Sequence, residues 1–233
     1  MELLNPFKKL TKFELGLWLT SVVVIIISFC ISSAGDMLTL IASLIGVTAL
    51  IFVAKGYVIG QVLCIIFAVF YGVVSFYFRY YGEMITYLCM SAPAAVAALV
   101  SWIKHPYKDS DEVEISNIGK NHICVMVLLA TAVTVSFYYI LSALDNANLF
   151  FSVISVTTSF IASYLTFLRS PYYALAYGAN DIILVVLWIL ATMESISYLP
   201  MVICFFMFLL NDLYGFYNWK RMEKIQKRIK EGM

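Results

Sequence analysis

The 233-residue chain is predicted to be an all-α membrane protein with eight transmembrane helices. Three observations support this. Hydrophobic residues make up 63% of the chain and charged ones 12%, with a mean hydropathy of +0.92; a soluble domain is nearer about 45–50% apolar and about 25% charged. Eight separate runs approach the roughly 20 apolar residues that a span needs. When those runs alternate across a bilayer, Lys and Arg collect on one side. The net charge of +1 carries no signature of nucleic acid, and none is expected as a partner.

The spans follow in order. Residues 13–31 come first. That stretch is long for the apolar region of a secretory signal and lacks a following small-residue cleavage site, so it is expected to be a retained helix. Spans at 36–54, 57–78 and 84–102 follow, separated by SSAGD, KG and RYYGE. Pro93, inside the fourth span, predicts a kink. Ile103 to Lys120 is the longest polar stretch between spans, and its mixed charges suggest a solvated loop. Spans at 121–143, 147–168, 172–191 and 197–217 complete the set, with short breaks DNAN, RSP and MES. Gly60, Gly72, Gly178 and Gly215 are expected where helices approach closely. The basic end, NWKRMEKIQKRIKEGM, is expected to rest on anionic headgroups.

With the N-terminus placed in the cytoplasm, Lys8, Lys9, Lys12, Lys55, Lys104, Lys108, Lys120, Arg169, Lys220, Arg221, Lys224, Lys227, Arg228 and Lys230 all fall inside, and Arg79 alone falls outside. Both termini are therefore expected in the cytoplasm. A repeat is also visible. SWIKHP closes spans two to four, and NWKRM closes spans six to eight. Each triplet has a short basic break after its first helix and an acidic break after its second. Lys55 to Trp102 is 47 positions and Arg169 to Trp219 is 50. The triplets are four spans apart, so they run in the same direction through the membrane, with span five as the linker. Residues 1–35 are then an extra N-terminal helix, 36–102 the first triple-helix repeat, 103–146 the loop and linker helix, 147–217 the second repeat and 218–233 a basic tail. Parallel repeats of this kind occur in transporters, with substrate held near the midplane between the halves.

Candidate binding residues come from helical spacing. Tyr173, Tyr177, Asn180, Asp181, Leu184 and Trp188 share roughly one face of span seven. Tyr57, Gln61, Cys64, Ala68 and Tyr71 do the same in span three. Aromatic rings stack on flat compounds and attract cations, and carboxamides both donate and accept hydrogen bonds. A flat, polar, cationic ring compound fits this set. Each residue also has a plainer reading: aromatics pack or face lipid, and a membrane Asn bonds neighbouring helices. A carboxylate at mid-depth costs roughly 2.5–3.5 kcal/mol on insertion scales, which makes Asp181 the more telling residue. Asn211 and Asp212 are expected nearer the cytoplasmic end of span eight, in structural roles.

No catalytic, metal or cofactor motif occurs. His105 and His122 flank the polar loop, and the five cysteines, Cys30, Cys64, Cys89, Cys124 and Cys204, lie in apolar runs without paired spacing. Asp181 and Asp212 are read as the only ionisable residues within the spans, too few for an ion-driven pump.

YYGEM, SWIKHPYKDSDEVEIS and above all FLLNDLYGFYNWKRMEKIQKR make the chain resemble the PnuC family of vitamin transporters over nearly its whole length. The resemblance implies a 3+1+3 fold like the sugar-transporting SWEET proteins, with an extra N-terminal helix, in a bacterial inner membrane. It implies a homotrimer that moves nicotinamide riboside by facilitated diffusion, with a cytoplasmic kinase trapping the product. Nicotinamide riboside carriers tend to carry Trp-x-x-Trp-x-x-x-Asn in span seven. Here Asn180 matches the Asn, Tyr173 stands for the first Trp and Ala176 for the second. Thiamine, riboflavin or another nucleoside therefore remain alternative substrates. A receptor or scaffold is the rival class, and an intramembrane enzyme would need catalytic groups that are absent.

Overall fold

A computed structural model describes residues 6–32, 37–77, 81–108, 110–146 and 148–232. Among these the regular structure is helical, apart from isolated bridges pairing Tyr57 with Glu112 and Pro106 with Val113. Seven helices are long and apolar enough to cross a bilayer. They are α1 (Lys12–Ile31), α2 (Met37–Ala54), the continuous run Tyr81–Lys104, α6 (Lys120–Ala143), α7 (Leu149–Phe167), α8 (Tyr173–Glu194) and the run Ile196–Lys230, which contains α9 (Leu199–Lys230). Helix α3 (Val58–Tyr77) is apolar over the shorter stretch Val58–Val73. Arg79 lies outside the described residues, as do most of the SSAGD break and Ala147.

The run Tyr81–Lys104 is α4 (Tyr81–Ile85), a wide π turn at Thr86–Ser91 and α5 (Ala92–Lys104). Pro93 is the second residue of α5, so the helix meets proline by widening the preceding turn. That turn carries one extra residue and re-aims Tyr87. Gly60 is required by packing: a Cβ there would lie 2.6 Å from the backbone nitrogen of Val53.

Helix α9 packs on α8, α2 and α1, and α5 packs on α7 and α3. Two indoles fix this arrangement. Trp102 Nε1, at the end of α5, donates to the Thr166 carbonyl at 2.9 Å, and Ser101 Oγ donates to the Phe167 carbonyl at 2.8 Å. Trp219 Nε1 on α9 donates to the Val53 carbonyl at 2.9 Å, and Asn218 Nδ2 to the Ala54 carbonyl at 2.9 Å. The final carbonyls of a helix have no partner within it. The Ser-Trp and Asn-Trp pairs thus satisfy the ends of α7 and α2 respectively. Both indoles are fully buried, with ring centroids 5.4 Å apart. The α2–α3 turn passes through Gly56 at φ +70° and the α7–α8 turn through Arg169 at φ +56°. Left-handed backbone is unfavourable for Arg. It is held by the guanidinium, which donates to the Glu114 carbonyl at 3.1 Å and Ser101 Oγ at 2.8 Å.

The polar loop is not simply solvated. Val113 is 1% exposed and packs with Trp102 and Trp219. Its N–H donates to the Gly56 carbonyl at 2.9 Å, and the Ser116 N–H donates to the Arg169 carbonyl at 3.1 Å. Gln226 grips the loop twice, accepting from the Ile115 N–H at 2.9 Å and donating to the Val113 carbonyl at 3.1 Å. For this reason α9 runs on through the basic end to Lys230. Trp219, Met222, Glu223 and Gln226 share its inner face, and Lys230 pairs with Glu114 at 2.5 Å. That bond holds the Glu114 carboxyl below its usual range. Lys9 pairs with Asp111 in the same layer.

Glu14 is a further ionisable group inside a span. It is 1% exposed and forms a capping box with Thr11. It also accepts from Tyr214 Oη at 2.6 Å and lies 3.3 Å from Lys55 Nζ. Asn211 Nδ2 donates to Ser21 Oγ at 3.0 Å and to the Met207 carbonyl at 2.8 Å, which binds α1 to α9.

Removing either indole should loosen the whole assembly. Trp219→Ala is expected to cost about 3–5 kcal/mol, and Trp219→Phe about 1–3 kcal/mol through the orphaned Val53 carbonyl. Apparent melting temperature in detergent should fall in the order wild type, Trp219→Phe, Trp219→Ala. Trp18→Ala, at a half-buried indole bonded to Thr48, should lower it less than Trp219→Ala.

Candidate functional site

A cavity of about 130 Å³ lies between α2, α3, the π turn and α5 on one side and α7, α8 and α9 on the other. A space of about 150 Å³ accepts benzene, so this one holds a single six-membered ring. None of the residues lining it is Lys, Arg or His.

The structure brings Asn180, Asp181, Tyr177, Tyr173 and Gln61 together on its wall. Asn180 is held by α7: Ser155 and Thr158 each donate to its Oδ1 at 3.0 Å. This fixes the carboxamide plane with its oxygen toward α7. Tyr177 Oη lies 3.0 Å from Ser163 Oγ, which positions the ring from its polar end. Tyr173 is wedged edge-on against Trp219, with centroids 4.8 Å apart, and so joins the wall to the paired indoles. Gln61 is 2% exposed and its Nε2 has no hydrogen-bond partner.

Trp188 and Tyr57 lie elsewhere. Trp188 is seven residues beyond Asp181, about 10 Å along the helix axis, and packs beside Tyr198 with centroids 5.6 Å apart. Tyr57 precedes α3, packs in a cluster with Ile51, Phe52 and Phe7, and sits beneath Lys55. In α3 the face chosen by spacing does reach the cavity through Gln61, Cys64 and Ala68.

Asp212 departs from its expected structural place. It is 3% exposed, lines the cavity, and its carboxyl is in hydrogen-bond contact with that of Asp181. The repeated Asn-Asp pairs therefore divide their work. Asn211 faces α1, while Asp212, about 100° round the helix, turns to the cavity. Spacing also missed Phe67, Tyr87, Phe205 and Phe208. These form the apolar end of the cavity, with Phe67 edge-on to Tyr87 at 5.8 Å and to Phe208 at 6.3 Å. Tyr87 is placed by the π turn, which no periodic template contains. Glu83, another carboxyl within a span, hydrogen-bonds Tyr71 and Ser75 beyond that aromatic end.

The arrangement combines a flat aromatic enclosure, fixed amide and hydroxyl groups and two carboxyls without a basic partner. It can bind a ring with polar substituents, and among the lining residues no nucleophile–base pair is assembled for covalent chemistry. A family model described as nicotinamide mononucleotide transporter matches residues 36–221. The nicotinamide riboside transporter PnuC of Neisseria mucosa is 25% identical over 219 residues, covering 92% of this chain and 83% of that protein. The nicotinamide riboside transporter PnuC of Haemophilus influenzae is 25% identical over 211 residues, covering 89% of each. The fold is shared with a crystal structure of the vitamin B3 transporter PnuC, at TM-score 0.79 and 24% identity over 93% of this chain and 94% of that one. The matched segment takes in every helix that surrounds the cavity, and on that extent of similarity the chain belongs to the nicotinamide mononucleotide transporter family.

Proposed function

We propose that the protein is a membrane transporter for nicotinamide riboside that works as a facilitator and supplies a precursor for NAD synthesis. The observation that carries this reading is Asn180, fixed by two hydroxyls on the wall of a ring-sized aromatic cavity within a chain of this family. The pyridinium ring would lie between Tyr177 and the apolar end, with Asn180 and Gln61 bonding amide or ribose groups. A whole riboside exceeds the present space, so binding would be accompanied by separation of the two sides. The cavity would take solvent when open, which offsets the insertion cost of Asp181.

The same reading carries a plan of eight spans: an N-terminal helix (1–35), two parallel triple-helix repeats (36–102 and 147–217), a loop and linker helix (103–146) and a basic tail (218–233), resembling SWEET transporters. The reciprocal Ser-Trp and Asn-Trp bonds support this two-fold plan. The location would be a bacterial inner membrane with both termini in the cytoplasm. The basic residues gathered around Glu14, Asp111 and Glu114 support a single cytoplasmic end. A homotrimer is proposed through the exposed face of α6, and a cytoplasmic kinase would trap the product. Ala176, in place of a second Trp, keeps thiamine as the second reading.

Proteoliposomes holding the protein should take up labelled nicotinamide riboside to equilibrium and no further, with a protonophore leaving the rate unchanged. Uptake of thiamine in its place would move the substrate assignment. Asn180→Ala should weaken binding by about three- to tenfold, the loss of about 0.5–1.5 kcal/mol for a neutral hydrogen bond, without reducing the folded protein recovered from the membrane. Wild-type affinity in that variant would remove Asn180 from the site. Tags at Met233 should be reachable only from the cytoplasmic side, while a cysteine introduced at Asn146 should label from outside.

A further inference from the structure

We propose that Asp181 and Asp212 share one proton and act together as a single negative charge that selects a monocationic ring in the cavity. This rests on the transporter reading and narrows its substrate class.

The two carboxyls touch each other, and an ionised carboxylate only accepts hydrogen bonds, so their contact requires a proton on one of them. Two negative charges at contact away from water are strongly unfavourable, and a single shared proton is the usual resolution. The other titratable groups facing the pair are Cys64 on α3, Tyr87 in the π turn, Tyr173 and Tyr177 on α8, and Cys204 on α9. Thiols and phenols bring no positive charge, and no Lys, Arg or His lines the cavity. The pair therefore carries at most one negative charge, and no residue lining the cavity supplies its counter-ion.

A buried charge of that kind needs a partner. Asp181 is 4% exposed, lines the cavity, and its Oδ2 has no hydrogen-bond partner. Gln61 Nε2, on the same cavity wall, is also unpartnered. Two unused polar atoms beside an aromatic enclosure describe a place for a charged ring with a polar substituent. Nicotinamide riboside and thiamine each carry one positive ring charge; riboflavin carries none. Because the proton stays on the pair, the substrate's charge is matched without a co-transported ion.

Calorimetry on purified protein would compare nicotinamide riboside with its neutral 1,4-dihydro form. The cation should bind about tenfold tighter or more, the difference between a charged and a neutral contact. An amide can stand where the protonated carboxyl stands. Asp181→Asn and Asp212→Asn should each bind more weakly yet keep the preference for the cation. The double variant Asp181→Asn/Asp212→Asn should lose that preference while still binding the dihydro form, which also shows that it is folded. Equal binding of both forms by wild type would overturn the proposal, as would a double variant that keeps the preference or a single variant that loses it. If neither nicotinamide form binds but thiamine does, with binding weakened in the single variants and lost in the double, the substrate reading fails and the charge selection stands. Absence of binding by nicotinamide riboside, thiamine and 1-methylnicotinamide alike would overturn both.

Discussion

Two helices end inside the protein at one pole, and their last carbonyls need donors. The rest of the structure depends on how that need is met. Helix α2 receives its donors from α9, and α7 receives them from α5. Each side of the molecule is thus completed by the other. The cavity lies on the membrane side of this cross-brace, and Tyr173 touches both Trp219 and the cavity. A transporter must separate its two sides at one end while keeping them joined at the other. Charge-free bonds between buried indoles and carbonyls suit the joined end. The described residues of the strap between α5 and α6 cover the same pole, held by Gln226 and Arg169.

Polar groups inside the membrane portion fall into two kinds. Glu14 is satisfied by its cap, by Tyr214 and by Lys55, and Asn211 by Ser21; these are fastenings between helices. Asn211 bonds through its Nδ2 alone and leaves its Oδ1 unpartnered, whereas the unpartnered atoms of Asp181 and Gln61 belong to residues that border the cavity. Unsatisfied groups are costly where nothing can reach them. The position of Asp181 and Gln61 on the wall of a ring-sized space ties that cost to a bound molecule.

Much of the fold was legible in the sequence. Apolar run length pointed to an all-helical membrane protein, and among the described residues seven helices are long and apolar enough to cross a bilayer; SW and NW were visible as repeated endings. The partner of each ending was not visible, because it lies on a helix far away in the chain. The site was legible where the helix is regular: Tyr173, Tyr177, Asn180, Asp181 and Gln61 follow the 3.6-residue period and meet at one cavity. Trp188 obeys the same period but lies beyond the cavity, since periodicity gives direction and not depth. Tyr87 was hidden because the π turn breaks the period. The cavity role of Asp212 is not legible from its nearness to the basic end, because its contact with Asp181 is made by the packing of α9 on α8.

Cys64 offers the most direct test that this cavity is the transport site, since it lines the cavity and lies on none of the fastenings. A variant retaining Cys64 as its only cysteine would be labelled with a small maleimide in proteoliposomes, with and without saturating nicotinamide riboside. Substrate should slow labelling of Cys64 in proportion to occupancy. An unchanged labelling rate in protein that still transports the substrate would contradict the assignment and place the pathway elsewhere.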